Sequence, residues 1–246
     1  MNKIFLSSIA CFLLISSTQG QDTLKTSLKG WSTELNINPF NGSLTLNNAN
    51  GQIKIRKFMP NGNALRLAFT LGSKNDETKM ENSYGINPLN SKDKKQSFEL
   101  GINFGTEKHF QSGRRISPYI GWEAGFGYKS SKEVITNNEN TMTVKGAWQS
   151  YEMIYNGQNP YYATNYIERG FWSGGANVLT GFDFYMAKDF YFGYELGFGF
   201  EYTKYSKIEI TQSPLVPDNR TYPNQDGSSW KVGPRLLNGI RIGYTF

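Results

Sequence analysis

Residues 230–246 read WKVGPRLLNGIRIGYTF. Counting back in twos from Phe246 gives Tyr244, Ile242, Ile240, Asn238, Leu236, Pro234, Val232 and Trp230. The interleaved set is Thr245, Gly243, Arg241, Gly239, Leu237, Arg235, Gly233 and Lys231. Side chains of a strand alternate between its two faces. One face is therefore mostly large and apolar, and the other mixes glycine with cations. Over this length the pattern asks for an apolar surrounding along one whole face.

The same pattern recurs upstream. The segment 190–203 sets Phe190, Phe192, Tyr194, Leu196, Phe198, Phe200 and Tyr202 against Tyr191, Gly193, Glu195, Gly197, Gly199, Glu201 and Thr203. Ile120, Trp122, Ala124, Phe126 and Tyr128 oppose Tyr119, Gly121, Glu123, Gly125 and Gly127. Shorter alternations occur at 176–186, 98–105 and 65–72, with weaker ones at about 31–40 and 52–58. Eight strands are predicted. Three connections are tight (59–63, 111–115 and 187–189) and carry turn chemistry or charge. The others, about 41–51, 74–96, 130–173 and 204–229, are expected to be long loops. Short turns then fall at one end and long loops at the other.

The amino terminus sets the expected compartment. Asn2 and Lys3 precede the apolar run Ile4–Ile15, and Ser16 to Gly20 supplies small residues for cleavage. This reads as a signal peptide over 1–20, cut near Gly20–Gln21. The run is too short to span a membrane as a helix, which takes ~20 residues. Cys11, the only cysteine, falls inside it, so the mature chain would hold neither a disulfide framework nor a thiol nucleophile. The net charge of +6 suits anionic lipid at a membrane surface. With export expected, nucleic acid is not an expected partner. Mean hydropathy is only −0.52, acceptable where alternate strand residues meet lipid and loops dilute the average.

Taken together, the chain resembles the small eight-stranded bacterial outer-membrane barrels of the OmpA transmembrane-domain and OmpX type. The expected fold is all-β: a transmembrane antiparallel up-and-down β-barrel of eight strands over 21–246. The resemblance implies location in the bacterial outer membrane, contact with its lipid and lipopolysaccharide, and a monomer. Ile240, Ile242, Tyr244 and Phe246 resemble the carboxyl-terminal signal read by the barrel-assembly machinery. Both chain ends would lie at the short-turn end, with no domain after Phe246. The competing architecture is a secreted lipocalin-like barrel with the apolar set inside. An eight-stranded interior is barely wide enough for its own side chains, and the aromatic set of 190–202 alone would overfill it.

With the apolar set outside, the inward ionisable residues are Glu34, Lys54, Arg56, Arg66, Glu99, Glu123, Asp183, Glu195, Glu201, Lys231, Arg235 and Arg241. Acids and bases are equal in number and segregate by strand, so each sign boundary is a pair of adjacent strands. Buried charges persist only when paired and hydrogen-bonded. The narrow diameter favours a closed, ion-paired lumen over a polar pore.

Catalysis has little to stand on. The one histidine, His109, lies near a turn, with Ser112 close by and no obvious carboxylate to orient its ring. Acids such as Asp76, Glu77 and Asp226 lack calcium-loop spacing. No phosphate loop, metal site, cofactor motif or nucleophile elbow is visible. The segment 130–173 exceeds what a connection needs. It carries Trp148, Tyr151, Tyr155, Tyr161, Tyr162 and Tyr166, aromatics suited to an extracellular protein or glycan ligand. A structural or surface-interaction role is the leading expectation, without enzymatic activity. A narrow porin-like channel and a lipid A-modifying enzyme are the alternatives.

Overall fold

The structure is a computed structural model and describes residues 30–37, 49–82, 89–110, 115–156, 159–214, 226–236 and 240–246. The predicted signal peptide, most of the 41–51 connection and the 111–114 turn lie outside these residues. Among the described residues the chain is all strand and turn: β1 (Gly30–Ile37), β2 (Ala49–Phe58), β3 (Asn63–Asn82), β4 (Leu89–His109), β5 (Ile116–Asn137), β6 (Asn140–Lys145), β7 (Trp148–Asn156), β8 (Asn159–Ile167), β9 (Phe171–Ala187), β10 (Phe190–Tyr205), β11 (Glu209–Ser213), β12 (Gly227–Leu236) and β13 (Ile240–Thr245).

Eight positions form a closed antiparallel ring, in the order β1-β2-β3-β4-β5-β9-β10-β13 and back to β1. Closure joins the two ends of the described chain. Trp31 N–H donates to Phe246 O at 3.0 Å, and Phe246 N–H donates to Trp31 O at 2.8 Å. Gly30 makes this approach possible: its φ is +118°, and a Cβ there would lie 2.6 Å from Phe246 O. The last ring position is shared. β13 pairs the start of β10, and β12 pairs its continuation from Leu196 to Tyr205.

Register turns sequence alternation into two faces. Phe198 stands beside Val178 and Pro234, and Gly199 beside Asn177 and Gly233. Apolar residues thus lie level with one another on the outside. Phe98, Leu100, Ile102, Phe104, Ile120, Trp122, Phe126, Leu196, Phe198 and Phe200 are all exposed, Phe198 at 59%. The buried set inside the ring is dominated by ionisable side chains. Tyr202 packs on Trp172 and Trp230, with ring centroids 5.5 and 5.0 Å apart, forming an aromatic belt at one end of the apolar face.

Three expected loops hold strands instead, 204–229 carrying β11. Within 74–96, residues 74–82 and 89–96 are the paired continuation of β3 and β4, in register from Lys74↔Ser97 to Asn82↔Leu89, and 83–88 lie outside the described residues. The paired residues are polar on both sides, so no apolar alternation marks them. Cross-strand charge supports them, with Lys92 Nζ 3.2 Å from Glu77 Oε1. The segment 130–173 holds the end of β5, then β6, β7 and β8. β6 pairs β5 and β11, and β7 pairs β8 as a separate hairpin. Val144, Ala147 and Ile208 form a small core there, packed by Met142, Tyr166 and Ile210.

Candidate functional site in the ring interior

Three layers fill the ring. The first lies at the end holding the short turns and the closure. Phe58, Tyr119, Tyr185 and Tyr191 are buried there. Phe58 and Tyr119 flank His109, with ring centroids 5.1 and 5.0 Å away, and Tyr185 and Tyr191 pack on each other at 5.3 Å. Glycine gives these rings room: a Cβ on Gly243 would fall 2.2 Å from the Tyr191 ring.

The second layer is ionic. Lys54, Arg56, Arg66 and Arg241 face Glu34, Glu107, Asp183 and Glu195, all at most 2% exposed. Arg56 reaches three strands. Its Nη1 donates to Glu107 Oε2 at 2.9 Å and its Nη2 to Asp183 Oδ2 at 2.8 Å. Its Nε approaches Glu34 Oε1 at 2.6 Å as an ion contact without hydrogen-bond alignment. Arg66 forks onto Glu195 with two bonds of 2.9 Å and also donates to Glu107 Oε1 at 2.8 Å. Arg241 Nη2 donates to Asp183 Oδ1 at 2.9 Å, and its Nη1 to Glu34 Oε2 at 3.2 Å. Lys54 Nζ lies between Glu34 and Glu195, at 3.6 and 3.4 Å. Tyr119 O–H donates to Glu195 Oε2 at 2.5 Å, and Tyr191 O–H to Glu34 Oε1 at 3.1 Å. Each acid thus meets several donors from different strands, the condition under which buried charge is tolerated. Arginine suits this layer because one planar fork can serve three carboxylates.

The third layer is hollow. Toward the aromatic belt, a cavity of about 180 Å³ is lined by Thr70, Glu99, Asn103, Ser173, Asn177, Glu201 and Phe171, with the backbone at Gly101, Gly125, Gly127 and Gly175. Glu123 sits at the boundary, its Oε2 2.9 Å from Arg66 Nη2 and its Oε1 accepting from Asn177 Nδ2 at 3.2 Å.

Seven of the predicted interior charges therefore meet in one cluster: Glu34, Lys54, Arg56, Arg66, Asp183, Glu195 and Arg241, with Glu123 touching its edge. Glu99 and Glu201 line the cavity instead. Glu99 faces Lys129, at 3.7 Å. Lys231 is exposed and stands opposite Glu201 in register. The side chain of Arg235 lies outside the described residues. Glu107, His109, Tyr119 and Tyr191 are members that the charge pattern alone did not supply. Glu107 and His109 share the parity of Glu99, so continuing the alternation past Gly105 reaches both.

His109 does have a carboxylate, contrary to expectation. Its Nε2–H donates to Glu107 Oε2 at 3.0 Å, and its Nδ1 lies 3.0 Å from Ser117 Oγ. That serine is Ser117, from the start of β5; Ser112 lies outside the described residues. Serine, imidazole and carboxylate are in hydrogen-bond sequence, as nucleophilic catalysis requires. Ser117 is 0% exposed, however, and Glu107 is also held by Arg56 and Arg66. A substrate carbonyl has no approach to this hydroxyl in the arrangement described.

The aromatic recognition set divides. Trp148 is 3% exposed, its Nε1–H donates to Gln96 O at 3.0 Å, and Lys74 Nζ lies 5.4 Å from its ring centroid. Tyr166 packs on the small outer core. Both hold the outer segment together. Tyr151, Tyr155 and Tyr162 are exposed on the β7–β8 hairpin, and the side chain of Tyr161 lies outside the described residues. Ile240, Ile242, Tyr244 and Phe246 carry the outward parity of the closing strand, with Tyr244 and Phe246 exposed.

No family model, no curated protein and no solved structure matches this chain.

Proposed function

We propose that this chain is an integral outer-membrane β-barrel protein of the OmpA transmembrane-domain and OmpX kind. Its role is to reinforce the membrane and present an outer segment at the cell surface, without catalysis. The observation that carries this reading is the inversion of polarity: a closed ring with apolar side chains outside and paired charges inside. Ordinary water-soluble domains bury the apolar set. Exposed apolar surface as continuous as this marks an interaction or membrane surface.

Dimensions agree with a membrane. Ile116 to Tyr128 spans twelve residue steps, about 40 Å along the strand at ~3.3 Å each. Tilted by ~35–45°, that gives a height of about 28–33 Å, enough for the ~25 Å apolar band of such barrels. The belt of Tyr128, Trp172, Tyr202 and Trp230 lies where aromatic girdles lie. The ionic layer favours a closed lumen over a channel. The sealed Ser117–His109–Glu107 set favours a structural role for the histidine over lipid chemistry. The barrel-assembly machinery would read the closing strand, and lipid and lipopolysaccharide would cover the apolar face.

Cell fractionation tests the location. The protein should stay in outer membranes through urea and carbonate extraction, and migrate faster on gels when unheated than when boiled. Recovery in the soluble periplasmic extract would refute the membrane reading.

A further inference from the structure

Two lysines stand apart on the apolar outer face. Between the aromatic belt and the short turns, the outward positions of the ring carry two charged side chains among the described residues, Lys57 and Lys108, and no carboxylate. Both are exposed. Lys57 is turned onto the Trp31 ring, 5.1 Å from its centroid. Lys108 has no ion-pair partner among the described residues. It borders a groove of about 380 Å³ on the outer wall, lined by Asn63, Thr106, Ile120, Trp122 and Val178. Register explains the groove. Thr106, Trp122 and Val178 stand level across β4, β5 and β9, so short side chains flank the indole. Lys108 stands level with Ile120 and Asn63, nearer the turns. Glu107 and Gly121 also border the groove, but the Glu107 carboxylate is turned inside the ring onto Arg56 and Arg66. The groove is thus apolar along its length and basic at its short-turn end.

Its depth fits a lipid headgroup. From Ile120, the partner of Lys108, to Tyr128 in the belt is about 26 Å along the strand at ~3.3 Å per residue. Tilted by ~35–45°, that is about 19–22 Å of height, and a lysine stem can snorkel the rest of a ~25 Å apolar band. The ammonium then lies where the phosphates of the turn-side leaflet lie. An anionic head with an acyl chain matches this arrangement. A zwitterionic head brings an ammonium for which this face holds no carboxylate. On the membrane reading, lipopolysaccharide belongs to the leaflet at the belt end, beside the outer segment. We infer that the groove binds one anionic diacyl phospholipid, with its phosphate on Lys108 Nζ and the Asn63 amide and one acyl chain along Ile120, Trp122 and Val178.

The inference rests on the membrane reading and deepens it by naming a lipid class and its site. The ¹⁵N-labelled protein would first be refolded into phosphatidylcholine nanodiscs. Failure to enter them would refute the membrane reading itself, and this inference with it. In discs of rising phosphatidylglycerol content, the amide signals of Lys108 and Ile120 and the indole N–H of Trp122 should shift saturably. Lys108→Gln should raise the half-saturating phosphatidylglycerol fraction about fivefold. Lys57→Gln removes the same charge at nearly the same level but outside the groove, and should leave that fraction unchanged. The location of the wild-type shifts decides the matter even where a variant fails to fold. Shifts spread evenly around the short-turn end, an equal effect of the two substitutions, or no saturation would each overturn the inference in favour of general attraction to a charged surface. Saturable shifts of the same signals by glycerol 3-phosphate in pure phosphatidylcholine discs would overturn it as well, because a head without chains would then suffice.

Discussion

Arg66 and Thr70 lie on one face of one strand, four residues apart, yet they occupy different interiors. Arg66 ends among Glu107, Glu123 and Glu195. Thr70 lines an open cavity. The backbone ring around them is continuous, so the contrast comes from what the neighbouring strands send inward. Near Arg66 charged side chains converge from all eight ring strands: β1, β2, β3, β4, β5, β9, β10 and β13. Near Thr70 the cavity wall carries Gly101, Gly125, Gly127 and Gly175 and the short side chains of Asn103, Ser173 and Asn177, with Glu99, Glu201 and Phe171 as the long ones. Side-chain length alone thus makes one ring solid at one end and hollow at the other. The solid end bears on stability and closure, and the hollow end leaves open space.

This contrast can be broken in order of effect. Arg66→Ala strands Glu107 and Glu195 with fewer donors. Removing one partner of a buried ion pair costs about 3–5 kcal/mol, so urea unfolding in lipid vesicles should shift by that amount. Phe198→Arg tests the outer face against the inner one. On the membrane reading proposed above, a cation at mid-depth on this outer face should cost about 2–4 kcal/mol in the same assay. A negligible cost would reverse the facing assignment. Above the aromatic belt, Glu168 accepts from Lys129 at 2.5 Å and from Lys74 at 3.0 Å. These hydrogen bonds hold its carboxyl below the ordinary carboxylate range. The resulting stabilisation is complete above the unfolded pKa and is lost as pH falls through the depressed folded value. Solvent screens this site, so Glu168→Gln should cost about 0.5 kcal/mol or less at neutral pH. The difference from wild type should vanish at acid pH and shrink in high salt. Thr70→Ser, inside the cavity, should change stability by less than about 0.5 kcal/mol.

The sequence made the ring legible because a strand with an apolar outer face and a polar inner face must alternate, and the period of two survives in every ring segment. Extensions beyond the ring were not legible. Residues 74–82 and 89–96 meet water on both faces, so nothing forces alternation, and cross-strand pairing leaves no local mark. Most of the ion cluster was readable as inward charge. Its partners were not, because Arg241 and Asp183 are 58 positions apart and meet only when the ring closes. Glu107 and His109 escaped because strand four loses its apolar face at Thr106 and Lys108, although the inward set continues. Trp148 looked like a recognition residue since its burial depends on Gln96 and Lys74 from a neighbouring hairpin.

Single-channel conductance in a planar bilayer tests the central claim most directly, that paired charge closes this ring. The correctly folded wild type should be silent, and Arg66→Ala, if it inserts, should open brief or noisy events as the ionic layer loosens. Stable, reproducible conductance from the wild type would contradict the account, because an ion path would then run through the layer in which Arg56, Arg66 and Arg241 hold their carboxylates.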